Sequence, residues 1–309
     1  MNNNTKIFLA GHKGLVGSAI LRKLKATGYK NVLNIDRKNL DLLNQAEVFK
    51  FLEINKPSAV IIAAAKVGGI QANKQNSAEF IYENLAIQNN LIHGSYMAGI
   101  KNLIFLGSSC IYPRNAKQPI KEEYLLSGSL EKTNEAYAVA KIAGVKICEY
   151  YNRKYKLNYK SLMPCNTFGP NDNYNLFSSH FFPALISKII QADKNNKKNI
   201  CLLGNGKTQR ELIYVDDVAD AVIFFLFKKT KDFLINIGTE REMTIEQYAK
   251  LIMKLIKKKL NIKYTKKHLI GTPRKVLDCT LAKKYGWIAK CNLNASILAT
   301  IRDYKKNYL

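Results

Sequence analysis

The chain has 309 residues, of which 47% are hydrophobic, and this fraction excludes a disordered protein and allows a large buried core. Its formal net charge is +26, but the lysines are spread along nearly the whole chain without a helix-turn-helix or a module of stacking aromatics, so we expect no nucleic-acid partner. The charge favours anionic small ligands instead, such as dinucleotides and nucleotide diphosphates.

The first motif is a glycine-rich turn between a short strand, Lys6 to Ala10, and a helix predicted from Ser18 to Ala26. The turn reads Gly11-His-Lys-Gly14-Leu-Val-Gly17, with G-x-x-G-x-x-G spacing. Such a turn brings backbone N–H groups and the positive end of a helix dipole to a pyrophosphate. It therefore predicts a dinucleotide site.

A second strand, Asn31 to Ile35, ends at Asp36 and Arg37, where a dinucleotide-binding fold contacts the adenosine ribose. An acid at this point suits NAD because it accepts hydrogen bonds from ribose hydroxyls, whereas an arginine suits NADP because it pairs with the 2′-phosphate. Both residues are present, so this spot leaves the cofactor open. Lys13 adds a second cation nearby and favours NADP, unless both cations simply face solvent.

Strands and helices alternate down to about Gly169. The predicted strands are Lys6 to Ala10, Val32 to Ile35, Ala59 to Ala64, Leu103 to Leu106 and Tyr159 to Met163, and the main helices are Glu83 to Met97 and Ala136 to Tyr155. This alternation predicts an α/β fold with a doubly wound parallel sheet, a Rossmann fold.

After Gly169 the pattern is irregular, apart from a helix from about Phe182 to Ala192 and a strand, Phe233 to Gly238, that returns to the main sheet. We therefore expect a smaller, discontinuous substrate-binding lobe. The predicted domains are residues 1–170 plus about 214–240 for the dinucleotide, and about 171–213 plus 241–309 for the substrate.

The fourth strand ends in Gly107-Ser-Ser-Cys-Ile-Tyr-Pro113. At the carboxyl end of a central strand, a serine hydroxyl can donate a hydrogen bond to a carbonyl oxygen of the substrate. The next motif, Tyr137 and Lys141, places a phenol and an ammonium group four residues apart on one helix face. A fixed cation beside a tyrosine makes proton transfer to a sugar oxygen easier. Together these groups predict a small oxyanion site for a carbonyl oxygen held by Tyr137.

Two further features concern the cellular location of the protein and the state of its cysteines. No signal peptide and no apolar run of membrane-spanning length is visible, so we expect a cytoplasmic protein without a membrane partner. The six cysteines are scattered without C-x-x-C spacing, which indicates neither a metal site nor a disulfide framework. Most of them are expected to be reduced and buried.

The glycine turn, the serines at the strand end and the Y-x-x-x-K pair resemble the extended short-chain dehydrogenase/reductase family. Further runs are similar to the GDP-L-fucose synthase branch of that family, and this similarity covers essentially the whole chain. The runs are Lys66 to Ile70, Gly107 to Pro113, Lys132 to Tyr137, Tyr151-Asn152, Met163-Pro164, Asp172-Asn173, Ser179-His180, Arg210-Glu211, Val215 to Asp217 and Gly271 to Lys275.

The resemblance implies an enzyme that epimerises GDP-4-keto-6-deoxy-mannose at C3 and C5 and reduces it at C4 with NADPH. The C4 ketone acidifies the neighbouring C–H bonds, so an acid and a base can invert both centres through an enolate. By resemblance, Cys110 is the base and His180 the acid, while Ser108, Tyr137 and Lys141 serve the reduction. A thiol beside a protonated imidazole loses its proton more easily.

The resemblance also implies binding residues. Those for NADP(H) are Gly11, Lys13, Gly14, Leu15, Val16, Gly17, Arg37, Asp41, Leu42, Leu106, Gly107, Lys141, Pro164, Asn166 and His180. Those for the GDP-sugar are Lys188, Leu203 and Arg210. Of these, Lys188 and Arg210 are the cations expected to bind the diphosphate. Leu203 and Ile270 stand where members of the branch often carry an aromatic residue and an acid. A salt bridge from Arg210 to Glu211 is the structural alternative.

Several alternatives stay open from the sequence. A related GDP-4-keto-6-deoxy sugar, such as a heptose, fits the same motifs. An NDP-sugar 4-epimerase or dehydratase with tightly held NAD shares the glycine turn and the Tyr-Lys pair but does not need Cys110 and His180. A catalytically idle dinucleotide-sensing or nucleic-acid-binding relative is suggested only by the charge. The two long helices imply, by resemblance, a homodimer built on a four-helix bundle.

Overall fold

The structure is a computed structural model that describes residues 4–175, 178–265 and 272–309. Its strands are β1 (Ile7–Ala10), β2 (Val32–Leu33), β3 (Ala59–Ile62), β4 (Asn102–Leu106), β5 (Asn158–Pro164), β6 (Asn166–Phe168), β7 (Asn199–Leu203), β8 (Gln209–Tyr214), β9 (Leu234–Ile237), β10 (Glu242–Thr244), β11 (Asn261–Thr265) and β12 (Arg274–Lys275). Its α-helices are α1 (Leu15–Ala26), α2 (Gln45–Asn55), α3 (Ile70–Gln75), α4 (Ser77–Met97), α5 (Glu135–Tyr155), α6 (Phe181–Lys194), α7 (Val215–Leu226), α8 (Ile245–Leu255), α9 (Thr280–Lys284) and α10 (Leu293–Tyr308).

Six of the described strands form the main sheet in the order β2-β1-β3-β4-β5-β9, and every neighbouring pair is parallel. The strands β1, β3 and β9 are buried along their whole length, as expected for strands covered by helices on both faces. Helix α1 packs with α7, while α4 packs with both α2 and α5. The predicted doubly wound α/β fold is confirmed.

The strand order reverses between β1 and β3, because the chain adds β2 on one side of β1 and β3 on the other. Ligands of such sheets bind in the crevice at the carboxyl ends of the strands around this point. The glycine turn follows β1, and the Gly107 to Pro113 run follows β4. Both therefore emerge at the same edge of the sheet.

Several element boundaries differ from the prediction. Helix α1 begins at Leu15 rather than at Ser18, because Gly14 is its N-cap and the helix starts inside the glycine turn. Helix α4 begins at Ser77, six residues before the predicted Glu83. Strand β2 is only Val32–Leu33, because at the sheet edge it pairs with β1 alone, over two residues.

The part of the chain after Gly169 is more regular than predicted. The helix predicted from Phe182 to Ala192 is α6, and the returning strand is β9, which pairs with β5. Helices α7, α8 and α10 and the small sheet around β8 were not predicted. Strand β8 is the centre of that sheet, since β10, β12 and β6 all pair with it.

The buried apolar side chains form two clusters. The larger one surrounds the main sheet and also includes Leu277, Cys279, Ala282 and Trp287 near the carboxyl end of the chain. The smaller one lies among α6, α8, α10 and β7. The proposed division into domains stays a prediction.

Two remaining expectations concern the membrane and the cysteines. Among the described residues, the helices are either too short or too polar to cross a bilayer. Three of the six free cysteines, Cys148, Cys165 and Cys279, are buried, whereas Cys201 and Cys291 are exposed and Cys110 is half-buried. The expectation that most would be buried was therefore too broad.

Candidate active site

The glycine turn is fixed by close backbone contacts. Gly11 has a φ of +88°, and a Cβ there would clash with the backbone of Ala64, just after β3. A Cβ at Gly17 would clash with the carbonyl oxygen of Gly11. The first turn of α1 has no side-chain cap and no acidic residue. Its N–H groups and positive dipole end are therefore suited to an anion such as the pyrophosphate of a dinucleotide.

The acid after β2 is paired with two residues of the glycine turn. Lys13 Nζ lies 2.8 Å and His12 Nε2 lies 3.2 Å from Asp36 Oδ1. The hydrogen bond from Lys13 is the largest cause that lowers the pKa of Asp36. The Arg37 side chain is 75% exposed, and its nearest acid, Asp41, is at 3.9 Å. The Arg37 guanidinium is therefore open to a further anion.

Tyr137 and Lys141 lie on consecutive turns of α5. Lys141 is almost fully buried, and its Nζ donates a hydrogen bond to the carbonyl oxygen of Leu106 at 2.8 Å and lies 5.8 Å from the centre of the Tyr137 ring. Burial lowers the pKa of Lys141 to about 7, and Cys110 opposes this shift. Burial and then Cys110 raise the pKa of Tyr137 well above its ordinary value. Tyr137 is therefore a neutral phenol that can donate a proton.

Cys110 receives two hydrogen bonds at its sulfur. Ser108 Oγ and Asn134 Nδ2 each donate to Cys110 Sγ at 3.2 Å, and the Cys110 N–H donates to Ser108 Oγ at 3.3 Å. A short 3₁₀ turn, Ser109–Ile111, with Ser108 as its N-cap, sets this geometry. The serine predicted to hold a carbonyl oxygen and the cysteine predicted to act as a base are therefore in direct contact.

His180 is the N-cap residue of α6, and its side chain makes no capping hydrogen bond. The preceding loop lies against the residues after β3, since the Gly69 N–H donates to the carbonyl oxygen of Ser178 at 2.8 Å. Although His180 is exposed, desolvation by the surrounding protein and then the charge of Lys275 lower its pKa. In the described part of the chain, no hydrogen bond or ion pair joins His180 to Cys110.

Arg210, on β8, is half-buried and lies close enough to Cys110 to interact with it electrostatically. Burial lowers the pKa of Arg210 to about 10, and Cys110 and Glu131 oppose this shift. Arg210 Nη1 donates to the carbonyl oxygen of Gln209 at 2.7 Å. It forms no salt bridge with the adjacent Glu211 within the described residues, because neighbouring side chains on a strand point to opposite faces.

Glu211 is fully buried, and backbone N–H groups of distant segments donate hydrogen bonds to its carboxylate. Its carboxylate accepts hydrogen bonds from the N–H groups of Thr239 at 2.5 Å, Glu240 at 2.7 Å and Leu277 at 2.8 Å. Burial is the largest cause that raises its pKa to about 7. Glu211 thus ties β8 to the segments after β9 and β12, and leaves Arg210 to the cleft.

The other two residues predicted to bind the GDP-sugar lie farther along the second region. Lys188 on α6 donates to the carbonyl oxygen of Cys201 at 3.4 Å. Leu203, the last residue of β7, is 54% exposed. These positions leave both side chains accessible to a ligand. Ile270 and Gly271, in the motif predicted to approach the substrate, lie outside the described residues.

The remaining predicted cofactor residues lie around the same edge of the sheet. Leu106 ends β4 and Gly107 follows it, while Pro164 ends β5. Asn166, on β6, donates to the carbonyl oxygen of Glu211 at 3.0 Å. Asp41 and Leu42 follow β2, and Asp41 Oδ1 accepts from the Leu43 N–H at 3.1 Å.

Three residues of this neighbourhood had no role in the sequence prediction: Asn134, Glu131 and Lys275. Asn134 and Lys275 lie inside runs that carried the family resemblance, and Asn134 stands directly before a helix, where its N-cap position was the available signal. Glu131 is buried, with Arg114 Nε 3.4 Å from its Oε2. Its proximity to Arg210 depends on a contact between distant segments and carries no local signal.

The model of the NAD dependent epimerase/dehydratase family matches residues 7–238 of the chain. This range contains the glycine turn and all five residues predicted to be catalytic. It ends one residue after β9, the last strand of the main sheet.

Individual relatives cover nearly the full length. The chain is 45% identical to GDP-L-fucose synthase 1 of Arabidopsis thaliana, over 99% of this chain and 95% of the relative. It is 41% identical to the GDP-L-fucose synthase of Escherichia coli (strain K12), over 98% and 97%. It also superposes on a solved structure of a GDP-mannoheptose C4 reductase from Campylobacter jejuni with NADP bound, with a TM-score of 0.90, 36% identity and 99% coverage of both chains.

Proposed function

Because the chain belongs to the NAD dependent epimerase/dehydratase family, and within it to the GDP-L-fucose synthase branch, we propose that it converts GDP-4-keto-6-deoxy-D-mannose to GDP-L-fucose. The reaction combines epimerisation at C3 and C5 with NADPH-dependent reduction at C4. The observation that carries this proposal is the hydrogen bond between Ser108 and Cys110, beside Tyr137 and Lys141. It joins a candidate base for epimerisation to the candidate groups for reduction.

In the reduction, Tyr137 donates a proton to the C4 oxygen, and Ser108 donates a hydrogen bond to the same oxygen. The raised pKa of Tyr137 keeps the phenol protonated and ready to donate. The charged form of Lys141, whose Nζ lies 5.8 Å from the centre of the Tyr137 ring, stabilises the phenolate that forms. When bound, NADPH supplies the hydride for C4.

In the epimerisation, the Cys110 thiolate removes the proton from C3, and the protonated form of His180 delivers a proton to the opposite face. Cys110 then releases its proton to solvent and His180 takes one up, and the same exchange is repeated at C5. The negative charge of the enolate develops on the C4 oxygen, where Ser108 and Tyr137 donate hydrogen bonds. Lys141 and Arg210 both lie close enough to Cys110 to interact with it electrostatically. The same donors therefore serve both half-reactions.

The geometry of the ribose site supports NADP(H) as the cofactor. Lys13 already forms an ion pair with Asp36, so the Asp36 carboxylate repels a 2′-phosphate less than a free acid does. Arg37 remains open to pair with that phosphate. The NADP-bound reductase from Campylobacter jejuni is consistent with this choice.

For the GDP-sugar, we assign Lys188 and Arg210 to the diphosphate and Leu203 to the nucleotide base. Guanidinium and ammonium groups suit phosphate oxygens, and both side chains are accessible from the second region of the fold. An exposed leucine offers an apolar surface without aromatic stacking. These assignments follow the resemblance and the exposure of the residues.

We further assign a homodimer to this protein. The paired helices α4 and α5 carry large apolar side chains that are exposed in the single chain: Tyr82 at 69%, Met97 at 64%, Tyr150 at 58% and Val139 at 40%. An isologous contact of this helix pair with a second copy would cover exposed apolar surface on both copies.

A related sugar is the second candidate substrate, because the chain superposes on a GDP-mannoheptose C4 reductase with a TM-score of 0.90. The deciding experiment gives the purified protein NADPH and either GDP-4-keto-6-deoxy-mannose or the corresponding GDP-4-keto heptose. NMR then identifies each product. We expect GDP-L-fucose from the first. Preferential turnover of the heptose would identify the GDP-4-keto heptose as the substrate. Bound NAD that never exchanges would instead favour a 4-epimerase or dehydratase.

A further inference from the structure

The side chain of Asn134 is directed away from the role that its position in the chain predicts. Asn134 is the N-cap residue of α5, and asparagine at this position normally accepts a hydrogen bond from an N–H of the first helical turn. Here its side chain makes no such bond, and its Nδ2 donates to Cys110 Sγ at 3.2 Å. The helix therefore gives up a capping interaction in favour of a contact with the thiol.

The other end of the same amide is also unusual. Asn134 Oδ1 is buried and has no hydrogen-bond partner in the described part of the protein. A buried acceptor without a partner costs folding free energy, so it marks a position where stability is not the only requirement. Because Oδ1 makes no competing contact, the direction of the amide is set by its bond to sulfur.

We propose that Asn134 is a positioning residue for Cys110, which holds the sulfur in place and stabilises its anionic form. This inference rests on the proposed function, in which the Cys110 thiolate is the base. Asn134 and Ser108 donate to the sulfur from two different segments, at equal distances. Hydrogen bonds to an anion are stronger than those to a neutral acceptor, so two converging donors favour the thiolate over the thiol.

The division of labour between the two donors follows from the chemistry. Ser108 is needed by the C4 oxygen once a ketone is bound, and a hydroxyl has a single proton to donate. An amide nitrogen of Asn134 stays with the sulfur throughout. The thiolate thus keeps one fixed donor while Ser108 turns to the substrate.

The test measures the reactivity of Cys110 in the substrate-free protein. Iodoacetamide alkylates thiolates, and peptide mass spectrometry follows Cys110 separately from the other cysteines as a function of pH. For Asn134→Ala, we expect alkylation at pH 7 to slow by about tenfold, the factor that the loss of one hydrogen bond to a charged acceptor brings. The midpoint of the pH profile should move to higher pH. At high pH the thiol is fully deprotonated, so the plateau rate measures how easily iodoacetamide reaches the sulfur. A change in the plateau therefore indicates a change in access, and a change in the midpoint indicates a change in the pKa of Cys110.

Asn134→Asp is the matched variant. Aspartate keeps the shape of asparagine, but its carboxylate cannot donate a hydrogen bond. Our proposal predicts a midpoint at higher pH that is shifted further than in Asn134→Ala, because the donor is lost and the new charge opposes the thiolate. Asn134→Ala introduces no charge, and its shift is the result that a purely structural role does not produce. Cys201, which is exposed on β7, is the internal control and should react at the same rate in all three proteins.

A midpoint that stays at the wild-type pH in both variants overturns the proposal, and so does a midpoint that moves to lower pH. The readout needs neither cofactor nor substrate. A protein that fails to convert the GDP-keto sugar but shows the shifted profile therefore refutes the proposed function alone. A protein that epimerises normally with unshifted variants refutes only the role of Asn134.

Discussion

The Lys141 side-chain nitrogen lies 5.8 Å from the centre of the Tyr137 ring, one helical turn away, and Lys141 is buried while Tyr137 is half-buried. Burial moves their pKa values in opposite directions, lowering that of Lys141 to about 7 and raising that of Tyr137. Each group is therefore held closer to its neutral form than it is in water. This arrangement suits a phenol that gives up its proton only when charge develops on a bound oxygen.

The first prediction is that Tyr137→Phe nearly abolishes reduction and leaves the affinity for the cofactor close to unchanged. The ring is kept and only the proton donor is lost, and such donors contribute about 10²–10⁴-fold in rate. Steady-state rates of NADPH oxidation and cofactor titration measure the two quantities. Tyr308→Phe, at an exposed tyrosine on α10, is the control and should behave as the wild type. A Tyr137→Phe protein that retains most of its turnover removes Tyr137 from the mechanism.

The second prediction concerns the choice between NADP and NAD. Arg37→Ala should weaken binding of NADPH by about 1.5–3 kcal/mol, the value of one charge-assisted contact, and should change binding of NADH far less. Fluorescence titration with each cofactor gives the two affinities. Lys38→Ala, which removes a neighbouring exposed cation, should weaken binding of NADPH much less than Arg37→Ala does. Equal losses for both cofactors in Arg37→Ala would assign the preference to Asp36.

The third prediction is that the protein is a homodimer at micromolar concentration and that Tyr82→Glu shifts it toward monomer. A charge placed on an apolar interface is buried twice across a two-fold axis, without a partner. Ile288→Glu is the matched control, because Ile288 is also exposed but lies outside α4 and α5. Light scattering measures the mass of each protein. A stable wild-type monomer contradicts the prediction, as does an equal response of the two variants.

The strands of the main sheet could be predicted from sequence because they are short, apolar runs that are buried on both faces. The start of α1 could not be placed as well, because the prediction treated the glycine turn as separate from the helix, whereas Gly14 is its N-cap. The second region was missed more broadly. One signal was present there, since Thr244 and Gln247 form a capping box just before the apolar run of α8.

The residues of the candidate site were chosen by motif, but their contacts depend on segments that are distant in sequence. Arg210 and Glu211 are neighbours in the chain, yet one lies near Cys110 and the other binds backbone N–H groups as far away as Leu277. The contact of Asn134 with the thiol spans 24 residues. Local periodicity cannot indicate such contacts, because they follow from the packing of the sheet and helices.

The fourth prediction concerns Lys160, which is 1% exposed on β5 and has no acidic partner among the described residues. Its Nζ donates to Asn158 Oδ1 at 2.5 Å, and burial lowers its pKa to about 7. Below about pH 10.5 the unfolded chain binds a proton at Lys160, whereas the folded protein does not bind it until about pH 7. The free energy of unfolding therefore decreases as pH falls from about 10.5 toward 7. Lys160→Met should therefore raise the free energy of unfolding at pH 7 by about 2–4 kcal/mol.

Urea unfolding at pH 7 and pH 9 measures this effect. The difference between Lys160→Met and the wild type should shrink at pH 9, where the unfolded chain gains less from protonation. Lys101→Met, at an exposed lysine beside the same sheet, should leave stability nearly unchanged at both pH values. A difference for Lys160→Met that does not depend on pH would mean that lost packing or hydrogen bonding, and not the buried amine, sets the stability here.

The last prediction separates the two half-reactions. Cys110 is assigned to proton abstraction at C3 and C5, whereas hydride delivery at C4 depends on Ser108, Tyr137 and Lys141. Cys110→Ser should therefore impair epimerisation selectively. In deuterated water, the wild-type protein should introduce deuterium at C3 and C5 of the keto sugar even without NADPH, because enolisation precedes reduction. In the variant this exchange should be slower by about 10²-fold or more.

With NADPH present, Cys110→Ser should release the GDP-6-deoxyhexose whose C3 and C5 centres are unchanged, and NMR of the product identifies it. Cys201→Ser, at an exposed cysteine, is the control and should exchange deuterium as the wild type does. Exchange at the wild-type rate in Cys110→Ser would show that the thiol is structural. The epimerase half of the proposed function would then be withdrawn, and the enzyme would be a 4-reductase whose Ser108, Tyr137 and Lys141 act without a base for C3 and C5.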